Sequence, residues 1–302
     1  MSNQSISTNT FGVAKWVVSA DATQGTHTTI SAATTSASAG DTIFIRDGTF
    51  TENVALKTGV SYVALNPFST NSVGNTIISG KCSYSGSGSV KIEGITLQTN
   101  SDFAISITGN SVSIVELTNC YISGTNNIPI QCTSSNTSAN LSLYYSDITC
   151  SGAGLAFFTG LTCQINLFYC NMTCDNTAVS TATTGGFIGM NYTACTGAFA
   201  TSGSATYYVE NSTYLCGNNP LFAQTGTSNG GINWSRATTG SAAAITLAAG
   251  AATAPVYSAL NSNSASTHFI TGSGTVNYAY IVNGGSAQTF DGALTITPYA
   301  TH

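Results

Sequence analysis

The chain has 302 residues, of which 6% are charged and 42% hydrophobic, with Lys+Arg 6 against Asp+Glu 11 and a formal net charge of −5. That length supports a substantial buried core, and so few charges leave the surface to Ser, Thr, Asn, Gln and Gly. The scattered cations form no phosphate-neutralising footprint, which argues against nucleic acid and acidic membranes as partners.

In chain order, residues 1–14 are polar and turn-rich and read as an amino-terminal arm. Their start lacks the positive charge and apolar core of a secretory signal, so classical secretion is not expected. Lys15-Trp16-Val17-Val18 alternates as a strand does, and Thr28 to Ala39, ended by Gly40, reads as a short capping helix over the open end of a β-stack. Asp41 to Val54 follows as strand, Asp47-Gly48 turn and strand.

A phrase then recurs: Glu93-Gly94-Ile95-Thr96-Leu97, Asn119-Cys120-Tyr121-Ile122-Ser123, Ser146-Asp147-Ile148-Thr149-Cys150, Cys170-Asn171-Met172-Thr173-Cys174, Ser212-Thr213-Tyr214-Leu215-Cys216 and Ser235-Arg236-Ala237-Thr238-Thr239. The last residues of these phrases lie 26, 27, 24, 42 and 23 positions apart. A short alternating strand precedes most of them, such as Leu141-Ser142-Leu143-Tyr144 or Ile165-Asn166-Leu167-Phe168, and a Ser/Thr/Asn/Gly turn follows. A period in the twenties with this pattern specifies stacked coils. The fold expected is all-β, a right-handed parallel β-helix over 15–239 with an amino-terminal capping helix, and a carboxy-terminal β cap or oligomerisation region at 240–302. The 42-residue interval reads as one coil with an excursion near 175–198, or as two coils, one degraded. The Ala-rich stretch 242–257, interrupted by Gly250 and Pro255, is too weak for membrane insertion.

The block from Trp16 to Gly80 resembles the amino-terminal cap and first coils of the pectin-lyase-like superfamily of right-handed β-helices. The helix, then Ala39-Gly40-Asp41-Thr42-Ile43, then Asp47-Gly48-Thr49-Phe50-Thr51-Glu52 carry that resemblance. Such openings occur in pectin esterase-like enzymes, secreted repeat proteins and bacteriophage tail fibres and tailspikes. The enzymatic branch implies paired carboxylates with an Arg or Lys, or clustered calcium-binding acids.

In the register of the phrases, Asp147 lies between Cys120 and Asn171, Glu93 aligns with Asn119 and Ser146, and Glu116 faces Leu143, so no column pairs two acids. No Lys or Arg occurs between Lys91 and Arg236, and no Gly-X-Ser-X-Gly elbow accompanies the three histidines. Nine cysteines include a column at Cys150, Cys174 and Cys216 that reads as reduced packing residues, and Cys170 with Cys174 is a weak zinc candidate without a nearby His. The cluster Asp41, Arg46, Asp47 and Glu52 reads as turn formation and local ion pairing rather than as a small binding site beside the cap.

No catalytic residue, cofactor or metal is therefore assigned. Aromatic pairs such as Tyr144-Tyr145 and Tyr207-Tyr208 should place one ring inward and one outward. Phe187, Met190, Tyr192, Tyr145, Tyr169 and Tyr208 are the candidate ligand contacts. The expected function is a non-catalytic virion-type fibre or spike subunit, homotrimeric and binding a host-surface glycan, located on a virion or an extracellular surface. The alternatives are a polysaccharide depolymerase or esterase on the same fold, and a self-assembling surface or filament protein.

Overall fold

The computed structural model describes residues 15–67, 75–99, 103–108, 113–125, 129–132, 139–151, 157–160, 163–182, 187–201 and 206–215, and strand backbone beyond these as far as Pro298. Side chains are described to Ser212, apart from those at 157–160, 174–182 and 197–201. The expected arm at 1–14 lies outside the described residues.

The chain winds as a right-handed parallel β-helix. Its first sheet has 13 parallel strands, from Trp16–Val18, Thr42–Ile45 and Ser61–Ala64 through to Thr275–Tyr278 and Thr295–Pro298. The other two faces are parallel ladders as well. They merge into one 20-stranded sheet because the strands Asn171–Ala182 and Ala194–Thr201 run through the bend that separates the ladders elsewhere.

Period-2 alternation explains the core. On the first sheet the inward pairs Ile43/Ile45, Tyr62/Ala64, Val90/Ile92, Val115/Leu117, Leu141/Leu143, Ile165/Leu167, Ile188/Met190 and Tyr207/Val209 are all buried and follow one another coil by coil. Each fully buried branched aliphatic contributes roughly 1.5–3 kcal/mol. Because every column is apolar from one coil to the next, a one-residue slip would expose a whole rung, so the register is strongly specified.

Three expectations change. For the 42-residue interval the excursion at 175–198 gives way to the two-coil alternative: Phe187–Asn191 pairs with Gln164–Phe168 on one side and Thr206–Glu210 on the other, and Ala194–Thr201 fills the second sheet. The intervening coil is the degraded one, since Thr193-Ala194-Cys195-Thr196 has Cys195 where four of the phrases have Leu97, Ile122, Ile148 and Met172. The coil also continues past 240, through Ala252–Val256 and Thr275–Tyr278 to Thr295–Pro298, so composition changes at that boundary while the architecture does not. Finally, the phrase register is off by one in its first members: Asp147 stands opposite Tyr121 rather than Cys120, and Glu116 opposite Ser142 rather than Leu143.

The amino-terminal helix, Ile30–Ser36, closes the helix end by burying Ile30, Ala33 and Thr34. Thr29 caps it by accepting from the Ala32 N–H. Glu52, from the first coil, satisfies two further first-turn donors: its carboxylate accepts from the Ile30 N–H at 2.8 Å and the Ser31 N–H at 2.9 Å, and from the Ser31 hydroxyl. Asp41 accepts from the Trp16 indole at 2.9 Å and the Ser38 N–H at 2.7 Å, and pairs with Lys15. These hydrogen bonds, the Trp16 indole first, hold the Asp41 carboxyl below its ordinary range. The Tyr62 hydroxyl, inside the coil, accepts from the Lys57 N–H and the Thr34 hydroxyl, tying the core to the helix.

Cysteine use is mixed. Cys132 and Cys163 form a disulfide, Cα–Cα 6.3 Å, that joins the end of the strand Ile130–Cys132 to the residue just before the strand Gln164–Phe168 in the next coil. The sequence reading did not find this bond, since 31 residues separate the partners and only the coil brings them together. In the expected cysteine column, Cys150 is buried and registers with Cys174, while Cys216 lies outside the described residues. Burial pushes the thiols of Cys82 and Cys120 up to about 12 and that of Cys170 up to about 11, from 9.0.

Two outcomes follow from the cap and the thiols. Glu52→Ala leaves helix donors without partners and should lower stability by about 1–2 kcal/mol, with faster amide exchange over 30–36; unchanged exchange there would refute the clamp. For the thiols, the folded pKa lies above the unfolded one, so between pH about 9 and 12 the unfolded chain releases protons that the folded chain keeps. Stability is therefore full below pH about 9 and falls as pH rises through that window. Denaturant midpoints against pH should show the fall, and iodoacetamide should label Cys82, Cys120 and Cys170 only after unfolding.

Candidate functional site

One corner of the coil repeats a backbone motif that the strand pattern does not reveal. Between the first sheet and the next strand, a single residue takes a left-handed conformation in six successive coils: Gly94 at φ 71, Asn119 at 51, Tyr145 at 50, Tyr169 at 56, Tyr192 at 51 and Asn211 at 49. All the non-glycine residues with positive φ among those described stand in this column. Each donates its N–H to the coil above, as Tyr145 does to the Phe168 carbonyl and Tyr169 to the Asn191 carbonyl.

The next residue is small and buried: Cys120, Ser146, Cys170, Thr193 and Ser212. Its hydroxyl or thiol donates back to the carbonyl two residues earlier, at 2.9 Å for Ser146 to Tyr144 and 2.8 Å for Ser212 to Glu210. The Ser146 and Ser212 oxygens also accept the Cys120 and Thr193 N–H groups, each at 3.1 Å. The corner thus leaves its buried polar groups paired. The recurring dipeptide, Asn/Tyr followed by Cys/Ser/Thr, was the available sequence signal for it. Cys170, one half of the zinc candidate, spends its thiol on this inward corner, bonding the Leu143 and Phe168 carbonyls.

The left-handed turn overrides simple alternation. Tyr144 and Tyr145 both face outward, as do Phe168 and Tyr169, because the residue after the strand is no longer extended. This corrects the expectation of one buried ring per pair; Tyr207 and Tyr208, inside a straight strand, do alternate, the first buried and the second 39% exposed.

Three exposed tyrosines consequently form a ladder. Tyr145 and Tyr169 stack with centroids 5.1 Å apart at 9°, and Tyr169 and Tyr192 at 4.9 Å and 0°. Beside them Tyr144 stacks on Phe168 at 5.2 Å. Left-handed backbone costs roughly 1–2 kcal/mol for an ordinary side chain, whereas two offset stacks contribute about 0.5–1.5 kcal/mol each. At the middle of these ranges the two stacks return only part of the strain of three tyrosines, and asparagine serves the same corner at 119 and 211. Strain kept where a cheaper residue fits is a mark of function.

The outward face of the first sheet continues from this ladder. Asn166 donates to Asn140 at 3.2 Å, Ser142 to Asn140 at 3.0 Å, and Asn191 to Glu210 at 3.4 Å. The Phe187 ring lies over Gly189, where a Cβ would meet it at 3.0 Å and the Asn166 Oδ1 at 2.9 Å, so the glycine makes room for both. Tyr208 stands in the adjoining coil opposite Gly189. Of the six residues expected to contact ligand, Tyr145, Tyr169, Tyr192, Phe187 and Tyr208 share this face and its corner. Met190 does not: it is 2% exposed in the core column between Leu167 and Val209, so it is withdrawn.

Carboxylates on the face are dispersed. Glu116 stands opposite Lys91 and pairs with it at 3.3 Å, Glu93 faces Val63 and Thr118, and Glu210 faces Asn191 and Asn233. Asp147, on the neighbouring sheet, is buried and accepts from Asn171 at 2.9 Å. Among the described residues no three His, Cys, Asp or Glu side chains converge as a metal cage. Near the cap, a depression bordered by Asp21, Gln24, Arg46, Asp47 and Asn66 has its polar groups turned on one another: Arg46 donates to Gln24, and Asn66 to Asp47.

No protein-family profile matches the sequence. No curated protein matches it either. Among solved structures, the chain is similar to a pectin methylesterase in complex with hexasaccharide VII, with TM-score 0.50, 9% identity, and 73% of this chain and 89% of that one covered. It also matches a pectin methylesterase mutant in complex with hexasaccharide IV, with TM-score 0.46, 10% identity, and coverage of 73% and 89%. An alginate lyase from Paenibacillus matches with TM-score 0.40, 12% identity, and coverage of 88% and 96%. At such identity the first likeness establishes the β-helix fold, and nothing about activity.

The corner makes a testable distinction between residue types. Tyr169→Asn and Tyr169→Ala both remove the stacks, but asparagine suits the left-handed backbone, so the asparagine variant should be more stable by about 1 kcal/mol. Urea midpoints of the two variants decide it, and equal midpoints would remove the strain account.

Proposed function

We propose that this chain is a non-catalytic surface-binding subunit of a virion-type fibre or spike, and that it holds a host-surface glycan along the tyrosine ladder and the amide-bearing face beside it. The observation that carries this reading is the ladder itself: three exposed, stacked rings at strained backbone positions that asparagine fills in the coils at 119 and 211. Aromatic rings offer apolar surface and tyrosine hydroxyls at low conformational cost, and Asn140, Ser142 and Asn166 supply donors and acceptors matched to sugar hydroxyls. The pectin methylesterase to which this chain is similar in fold is in complex with a hexasaccharide.

Assembly as a homotrimer belongs to the same proposal, since an elongated coil has sides broad enough for three-fold packing. A polysaccharide depolymerase on this fold is the competing reading. It calls for a second acid near the first, whereas the Glu210 column offers Asn191 and Asn233.

The triple variant Tyr145→Asn, Tyr169→Asn, Tyr192→Asn tests the reading without removing the corner geometry. Retention on a panel of surface polysaccharides should fall at least tenfold while native mass by light scattering stays that of a trimer. A fall in mass would make the ladder a subunit contact instead, and release of reducing ends from a bound polysaccharide would make the protein an enzyme.

A further inference from the structure

Building on the glycan reading, we infer that the polymer held on this face is uncharged and lies parallel to the coil axis. The direction follows from the ladder. Tyr145, Tyr169 and Tyr192 rise one coil at a time, Tyr144 stacks on Phe168 in the same direction, and the bonds from Asn166 to Asn140 and from Asn191 to Glu210 link neighbouring coils, so aromatic surface recurs along the axis and changes across it. A chain of repeating sugars meets the same chemistry at each coil only when it runs along that axis.

Charge selects its class. Between Lys91 and Arg236 the sequence holds six carboxylates, Glu93, Asp102, Glu116, Asp147, Asp175 and Glu210, and no Lys, Arg or His, so this segment has a formal charge of −6. Lys91 lies at the amino-terminal end of the face and is paired with Glu116. Arg236 belongs to a strand of the second sheet. A uronate or sulfated polymer would thus find the Glu210 carboxylate beside the ladder, in a segment of net negative charge with no cation to meet its own charges, and like charges repel within a screening length. Neutral sugars, with or without acetamido groups, need only the donors and acceptors present. Glu210, held by Asn191, is then an acceptor for sugar hydroxyls.

Affinity electrophoresis of the full chain through gels containing a galactomannan, a β-glucan or polygalacturonate, at low and high salt with a chelator present, tests this. Retardation by a neutral polymer, insensitive to salt and lost in the triple Tyr→Asn variant, with none by polygalacturonate, is the expected result. Glu210→Lys should then acquire retardation by polygalacturonate that disappears at high salt. Salt-sensitive retardation of the unaltered protein by polygalacturonate overturns the charge selection while leaving the glycan reading intact. No retardation by any polymer, neutral or acidic, overturns both.

Discussion

In a parallel coil every side chain lies about 4.8 Å from its counterpart in the turns above and below, and this repetition governs which residues the chain tolerates. Like charges in one column would face each other along its length. The composition obeys this: only 6% of residues are charged, and where charges do register, as at Lys91 and Glu116, they are opposite and joined at 3.3 Å. Carboxamides suit the constraint better, since each is donor and acceptor at once. Asn166 on Asn140 and Asn171 on Asp147 bond from coil to coil. The same repetition turns alternating aliphatics into continuous buried columns, and turns the corner tyrosines into a ladder.

The corner is where that constraint becomes a surface. A straight strand sends successive side chains to opposite faces, so it exposes every second residue. One left-handed residue after the strand breaks this rule and places two neighbouring side chains outside together. Where the residue is glycine or asparagine, the turn is inexpensive and its surface is unremarkable. Where it is tyrosine, strain is kept and three rings project beside a second stack of Tyr144 and Phe168. The buried Ser, Thr or Cys that follows anchors each turn, which lets the exposed position vary without loosening the corner.

The two ends of function on this fold, holding a polymer and cutting it, make different demands on the same columns. Cutting calls for carboxylates close enough to perturb one another, which the repetition discourages unless neighbouring coils differ. Holding a neutral polymer calls for repeated apolar surface with paired amides, which the repetition favours. The first sheet of this chain, with its dispersed acids, its tyrosine ladder and its amides bonded between coils, fits the second demand. Its rigidity begins at the cap, where Glu52 and Asp41 fasten the first helix to the first coil and close the open edge.

The sequence by itself determined the coil, because a period in the twenties with alternating apolar residues is a local signal repeated many times. It also determined the cap, because a short Thr/Ser/Ala segment ahead of the first strands has few other ways to bury Ile30 and Ala33. Five of the six ring and sulfur candidates could be placed on one surface only by the tertiary structure, which also sent Met190 inward. Alternation sets in and out within a straight strand, but the phase across a bend depends on one dihedral angle that composition does not encode. The same reason explains the one-residue error in register between Gly94, Asn119 and Tyr145. The Cys132–Cys163 bond was beyond the sequence for a related reason: which turns become neighbours is decided by the length of the intervening coil, and that is fixed only once every strand has found its partner.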